Sequence, residues 1–258
     1  PLTDIYVKIA QERSAEFGQV RAKNTGAWPL HFSTDNMAMG YVVGNQNLKD
    51  ALAPFAKKAK RYPRTITNTT PASPNKLTDD TGQSWVCDLV VACDGPASPL
   101  RKQAGLKAKD QARGQTAIVT NIQTSGAINH TAWQIFCPLG PLALMATGAH
   151  QASVVWTVSD SAATEIASLE EAAFNTELQA SFGSNLGDLS VCSERLIWPL
   201  RPVFAPKCTT EGFVLAGDAA HALHPLAGMG YNLALGDAAI LLDCLQDAHA
   251  RGLPAGHI

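Results

Sequence analysis

The spacing of apolar positions changes several times along the chain. In "GYVVGNQNLKDALAPFAKKAKRY", Leu48, Ala51, Leu52, Phe55 and Ala56 recur at helical spacing with lysines opposite, which predicts a helix capped by Asn45 or Asn47. "WVCDLVVAC" is instead a nearly continuous apolar run of buried-strand type, preceded by the turn signal "TDDTG". "SPLRKQAGL" follows as a short helix with Pro99 near its first turn, so this region predicts strand, tight acidic-glycine turn, helix. "TAIVTNIQT", "TAWQIFCPLGPLALMAT" and "QASVVWTVS" read as successive strands of an antiparallel meander punctuated by Pro and Gly. A helix is predicted from Leu169 to Phe182, with Ser168 as its cap and a glutamate near the third helical position. "ERLIWPLRPVFAPKC" returns as extended chain, "EGFVLAG" is the last strand, and Asn232 to Leu245 the last helix. The first segment, "DIYVKIAQERSAEFGQVRA", mixes a short β-like run with polar residues, and Gly26 to Pro29 interrupt it.

Composition narrows the classes. At 258 residues and 46% hydrophobic, the chain can build one large core or two ordinary ones. Its net charge of -2 comes from scattered groups with no basic stripe, which argues against a nucleic-acid partner. No run approaches the roughly 18 to 20 apolar residues of a membrane span, and no signal segment opens the chain; a peripheral membrane contact stays open. The six cysteines match neither a close metal pair nor a secreted framework, and most lie in apolar runs, so they are expected as small buried hydrophobes in a reducing cytoplasm. The chain starts at Pro1 and closes on "RGLPAGHI", which suggests a piece of a longer protein.

Two stretches carry chemistry. Asp218 directly follows the apolar run "FVLAG"; a carboxylate at a strand's carboxyl end can accept hydrogen bonds from ligand hydroxyls, or it can simply cap the next segment. Downstream, Gly228, Gly230 and Asn232 open the last helix, where missing side chains and unpaired N–H groups favour close approach of negative charge. His221 and His224 are three apart, but Pro225 interrupts any helix holding them and no third ligand has recognisable spacing, so no metal is expected. The second stretch is Asp94, Gly95, Ser98 and Arg101, again after a buried strand. It reads either as an ordinary helix cap or as a site for a pyrophosphate or pyridine nucleotide.

"VVACDGPASPLRKQAGL" resembles the Asp-Gly motif of class A flavin-dependent aromatic hydroxylases, and "GFVLAGDAAHALHPLAGMGYNLALGDAAILLDCL" resembles their Gly-Asp motif. "GYVVGNQNLKDAL" is similar to the segment opening the FAD-contacting helix. The middle strands are similar to the substrate domain of the ubiquinone-biosynthesis branch, that of the 2-octaprenyl-6-methoxyphenol hydroxylases. The similarity runs from Ile5 to about Leu245. Departures are the absent Gly-x-Gly-x-x-Gly segment, which in the family holds the ADP half of FAD, and the absent region of roughly a hundred residues beyond the Gly-Asp helix. Met229 stands where the family usually has glutamine, Tyr231 where it has another apolar residue, and Gln46 where this branch often has arginine. The stretch between Thr70 and Thr78 is shorter than the hairpin expected there.

The resemblance implies an α/β (mixed α+β) fold, a partial FAD-binding Rossmann-like domain interleaved with a mainly antiparallel β-sheet substrate domain. Residues 1–39 and 108–207 would belong to the substrate domain, and residues 40–107 and 208–258 to the FAD domain. It implies an FAD- and NAD(P)H-dependent monooxygenase that hydroxylates a polyprenylated phenol. The cofactor supplies the oxygen chemistry while the protein orients and dries the site. By the same resemblance Gly217 and Asp218 sit at the ribityl and pyrophosphate region, and the backbone of Gly228, Met229, Gly230, Tyr231 and Asn232 at the pyrimidine end of the flavin. Pro225 and Gly228 would line the face where oxygen meets substrate. Asp94 and Arg101 would lie near the pyrophosphate and nucleotide path, and Gln46 near the FAD phosphates or ribityl chain. Trp133, Phe136, Leu142 and Leu144 could wall a substrate pocket, with core packing as the alternative. The implied partners are a hydrophobic phenolic substrate and other ubiquinone-biosynthesis proteins, and the implied location is cytoplasmic, peripheral at the inner membrane. Two further readings stay open: a catalytically incompetent fragment with weak or no FAD binding, and another aromatic hydroxylase or a flavin-dependent prenyl reductase.

Overall fold

The computed structural model describes residues 4–9, 30–33, 40–72, 74–110, 112–225 and 228–257, the first two stretches as backbone only. Strand β1 (Asp4–Ile9) and β2 (Leu30–Ser33) precede helix α1 (Asn45–Ala56). Then come β3 (Ile66–Thr70), β4 (Asn75–Asp79), β5 (Ser84–Cys87), β6 (Val90–Ala92), α2 (Pro99–Gln103) and β7 (Lys109–Asp110). The middle holds β8 (Gln115–Thr124), β9 (Thr131–Cys137), β10 (Gly140–Gly148), β11 (Gln151–Ser159), α3 (Asp160–Ser168) and α4 (Glu171–Phe182). The last part holds β12 (Leu189–Val191), β13 (Leu196–Leu200), β14 (Val203–Phe204), β15 (Thr209–Thr210), β16 (Phe213–Leu215), α5 (Asp218–His221) and α6 (Met229–Ala250). The chain divides into two compact units, residues 1–59 with 114–200 and residues 60–113 with 201–258. The interruption at Gly26 to Pro29 lies outside the described residues.

The first unit is built on an eight-stranded sheet in the order β12-β8-β11-β10-β9-β1-β2, with β13 sharing the β8 edge with β12. β8 to β11 are antiparallel neighbours, as their alternating patterns predict, while β1 pairs β9 in parallel. Register explains the core. Ile118, Trp156, Leu142 and Ile135 pair in sequence across β8, β11, β10 and β9, point to one face and are fully buried. Phe174, Leu178 and Phe182 of α4 belong to the same cluster. On the opposite face Leu196 pairs with Val119, Val119 with Val155, and Val155 with Ala143, an apolar row beside which Asn121, Ser153 and Gln134 are polar.

The helix expected from Leu169 to Phe182 is α4, Glu171–Phe182, and it is preceded by a helix that was not expected, α3. β11 runs directly into α3, whose cap is Ser159 accepting the Ala162 N–H at 3.3 Å. Ser168 ends α3, its hydroxyl donating to the Glu165 carbonyl, so it does not cap α4, which starts after Glu170 with no side-chain cap bond. Neither Asn45 nor Asn47 caps α1: Gly44 takes that position.

The second unit contains a parallel pair, β16 with β6, extended by β15 in antiparallel. It also contains the antiparallel hairpin sheet β3-β4-β5. The short connection between β3 and β4 is closed by Asn75, buried, whose Oδ1 accepts the Ala72 N–H and whose amide donates to the Gly212 carbonyl at 2.6 Å. Asp79 closes the β4–β5 turn by accepting from the Thr81 N–H and hydroxyl and from the Gln83 N–H. These bonds, the Thr81 hydroxyl foremost, hold its carboxyl below the usual carboxylate range. α6 begins earlier and ends later than the sequence pattern suggests, running from Met229 to Ala250. Among the described residues no helix is long and apolar enough to cross a membrane. The cysteines depart from expectation: Cys137 alone is buried, while Cys93 and Cys192, each just past the end of a short strand, and Cys244 on α6 are exposed.

Candidate functional site

β6 and β16 run parallel, so their carboxyl ends emerge side by side in the second unit, each followed by an acid: Asp94 after β6 and Asp218 after β16. In open α/β sheets such carboxyl ends are where ligands gather. The two acids are used differently. Asp94 is engaged in its own loop, Oδ1 accepting the Ser98 hydroxyl at 2.6 Å and Oδ2 the Leu100 N–H at 3.0 Å. Ser98, fully buried, in turn accepts the Arg101 N–H at 2.9 Å and caps α2. Asp218 is exposed, and its carboxylate makes no hydrogen bond or ion pair among the described residues.

Arg101 is only 5% exposed, and its guanidinium donates to the carbonyls of Ala219 at 2.6 Å and Pro96 at 2.8 Å. It therefore ties the Asp-Gly loop to α5, the first turn after the Gly-Asp motif. The expected path toward a ligand pyrophosphate is not what its present contacts serve.

Gly217 turns the chain at φ +59° and ψ -141°, a conformation open to glycine and strained for other residues. Its N–H donates at 2.7 Å to Asp237 of α6. The same carboxylate meets His221 Nε2 at 2.8 Å through Oδ2 and 3.0 Å through Oδ1. This accounts for His221, which the sequence left as a flanking residue. Sequence reasoning did not single out Asp237, which makes these contacts, although the second Gly-Asp pair, Gly236–Asp237, was the available signal. His224 is half-buried, and burial, with the Arg113 charge second, pushes its imidazole below the usual histidine value. Among the described residues no group of three or more metal-ligating side chains occurs.

Gly228 precedes α6 in a left-handed conformation, φ +63°. A Cβ placed at Gly228, Gly230 or Gly236 would meet no atom within 4 Å, so the glycines leave open space beside the helix start. Met229, Tyr231 and Asn232 are exposed there, the Asn232 amide donating to the Gly228 carbonyl at 3.4 Å, and Pro225 is half-buried just upstream. A free carboxylate at one strand end and unfilled space at a helix N-terminus fit the hydroxyl-bearing chain and the anionic ring of a flavin nucleotide.

The remaining expected residues lie in the first unit. Gln46 is exposed in the first turn of α1 and donates to Asp50 at 2.8 Å. Trp133, Leu142 and Leu144 belong to or pack against the helix-covered core, Leu142 and Leu144 being fully buried, whereas Phe136 faces the other side and is 41% exposed. The four share no wall, since strand alternation turns Phe136 away from the others.

The FAD binding domain family matches residues 56–252, and the chain belongs to that family. Among curated proteins, the ubiquinone hydroxylase UbiL of Rhodospirillum rubrum is 32% identical over 227 residues, covering 84% of this chain and 52% of the relative. The 3-demethoxyubiquinol 3-hydroxylase of Escherichia coli is 32% identical over 164 residues, covering 64% of this chain and 42% of the relative. The chain thus spans about half the length of these relatives. The structure of CmlS, a flavin-dependent halogenase, superposes with a TM-score of 0.68 at 20% identity over 86% of this chain and 44% of that one, which establishes the fold.

Proposed function

We propose that this chain is part of an FAD- and NAD(P)H-dependent monooxygenase that hydroxylates a polyprenylated phenol in ubiquinone biosynthesis. The observation that carries the reading is the parallel β16–β6 pair, with the free Asp218 carboxylate at one strand end and the open Gly228–Gly230 start of α6 nearby in sequence. Asp218 would accept hydrogen bonds from the ribityl hydroxyls, and the N–H groups of Gly228 to Asn232 would face the pyrimidine edge of the flavin, where the helix start favours negative charge. Bound FAD supplies oxygen activation for hydroxylation of an electron-rich ring. Pro225 would border that face. The names of the two hydroxylases support the substrate class.

For the substrate wall, the sheet face that carries Phe136 is a better candidate than the buried Leu142 and Leu144. Phe136, Leu196 and Trp198 are 41%, 58% and 70% exposed, and Val119, Val155 and Ala143 continue the apolar surface between them. A prenylated phenol partitions into a bilayer, so the reading carries a cytoplasmic protein in peripheral contact with the inner membrane, working beside other ubiquinone-biosynthesis proteins. A second reading, weak FAD binding by these 258 residues alone, is favoured by α6: Tyr231, Leu235, Ile240 and Leu242 are exposed, and Ala248 is its only buried residue among those described. Titration of the purified chain with FAD, followed by flavin fluorescence, separates the two. Stoichiometric binding sinks the second reading, and no binding sinks the first for this chain. Substrate-stimulated NAD(P)H oxidation by the full-length protein tests the hydroxylase reading, and its absence across phenols of varied chain length would overturn it.

A further inference from the structure

We propose that Asp237 is a positioning residue that holds the Gly217–Asp218 turn in its ligand-ready geometry, a role resting on the FAD-site reading above. Three observations carry it. First, the Gly217 N–H donates to Asp237 at 2.7 Å while the Gly217 carbonyl accepts from the N–H groups of Ala220 and His221 at 2.9 and 3.0 Å. The residue preceding Asp218 is thus pinned from both sides of its peptide. Secondly, the same carboxylate engages His221 Nε2, which lies at the far end of α5. One side chain of α6 therefore grips the start and the end of the single turn that presents Asp218. Thirdly, an acid in a helix otherwise dominated by Ala, Leu, Ile and Gly is costly unless it satisfies donors, and Asp237 is three-quarters buried and satisfies two. Burial raises the thiols of Cys93 and Cys208, with the Asp94 charge and then the Asp237 charge adding to it at Cys93, and the Asp237 charge at Cys208.

The Gly217 turn is the part most in need of such a hold. Glycine is required there by its positive φ, yet glycine is also the residue with the most freedom to leave that conformation. Without an acceptor from α6 the N–H would need water, and the following Asp218 would lose its fixed direction. Asp237 does not itself reach the open space beside Gly228. It acts through Gly217, by narrowing the orientations from which Asp218 can meet a ribityl chain.

Three variants of the 258-residue chain separate this role from packing. D237L keeps the volume without an acceptor, D237A removes both, and D237N keeps one acceptor oxygen for the Gly217 N–H. Hydrogen exchange at the Gly217 amide, read by NMR on the labelled chain, is expected to quicken roughly 10- to 100-fold in D237L and D237A, the scale for loss of one charge-assisted bond. Core amides such as Ile118 should be unchanged. D237N is expected to restore most of the protection. Its Nδ2–H would then face His221 Nε2 and drive that ring to the Nδ1–H tautomer, a change visible in imidazole 15N shifts. FAD affinity, from fluorescence titration, is expected to fall about tenfold or more in D237L and to stay within about threefold in D237N. Unchanged Gly217 exchange in D237A, or D237L matching D237N in exchange, overturns the proposal. If the unmodified chain takes up no FAD, the site reading fails for this chain, and the exchange and tautomer measurements still decide the role of Asp237 in the turn.

Discussion

Replacing Arg101 by methionine separates a buried strut from a ligand-binding cation. The guanidinium is 5% exposed and donates at 2.6 and 2.8 Å to two carbonyls, one of them on Ala219, which is fully buried. The net contribution of a hydrogen bond from a charged donor is about 1.5–3 kcal/mol, desolvation of both groups included, so two such bonds put the loss for R101M, whose side chain still fills most of the volume, at about 3–6 kcal/mol. R101K should recover less than half of that, because an ammonium on a flexible stem cannot fork to two divergent carbonyls. Urea unfolding followed by circular dichroism gives the loss as a lowered midpoint at constant slope. Exchange at the Phe213 and Leu215 amides assigns it to the second unit. R101M within about 0.5 kcal/mol of the parent, accompanied by lost affinity for FAD or a pyridine nucleotide, would refute the strut and return Arg101 to the ligand.

Four further outcomes are expected. Leu144→Ala, in the fully buried core row, should cost about 2–5 kcal/mol in urea unfolding while leaving Gly217 exchange untouched. Gly212→Ala should be among the most damaging single substitutions, because at φ +64° its new Cβ would collide with the Ala72 carbonyl and the Asn75 amide; expression and thermal unfolding report it. Asp79 has a folded-state carboxyl below its unfolded value, so the stability it contributes is present above the ordinary carboxylate pKa and is lost as pH falls through the depressed one. Unfolding midpoints between about pH 2 and 6 should therefore slope less for D79N than for the parent. Trp198→Ala, on an exposed site, should change stability by no more than about 0.5 kcal/mol yet raise KM for long-chain phenols in the full-length protein, and an unchanged KM would remove Trp198 from the wall.

The strands were the most readable part of the chain because two constraints coincide in them. In β8 and β11 alternation, β-branched residues and flanking turns all point to one assignment, and the register then follows from which side must be buried. Asp94 and Asp218 were legible for a similar reason, each being an acid placed immediately after an apolar run. α3 was not legible: it is short and starts directly at the end of β11, capped by Ser159, so "DSAATEIAS" was not set apart from the strand region, while α4 was placed to within two residues. Arg101 and Asp237 were hidden differently. Each is a charged residue with one partner that is a backbone group far along the chain, Ala219 for Arg101 and Gly217 for Asp237, and no local spacing announces such a contact. Leu142 and Phe136 were grouped as one wall because both are apolar, while strand parity sends them to opposite faces.

The exposed apolar side chains of α6 have a practical corollary at the bench. Tyr231, Leu235 and Leu242 on one side of the helix, and Ile240 on another, offer environment-sensitive dyes places to dock on the fully folded chain, so dye-based melting curves should start from a high fluorescent baseline. A sample in its native state would then be scored as partly denatured, whereas calorimetry or circular dichroism on the same sample would report one intact, cooperative population.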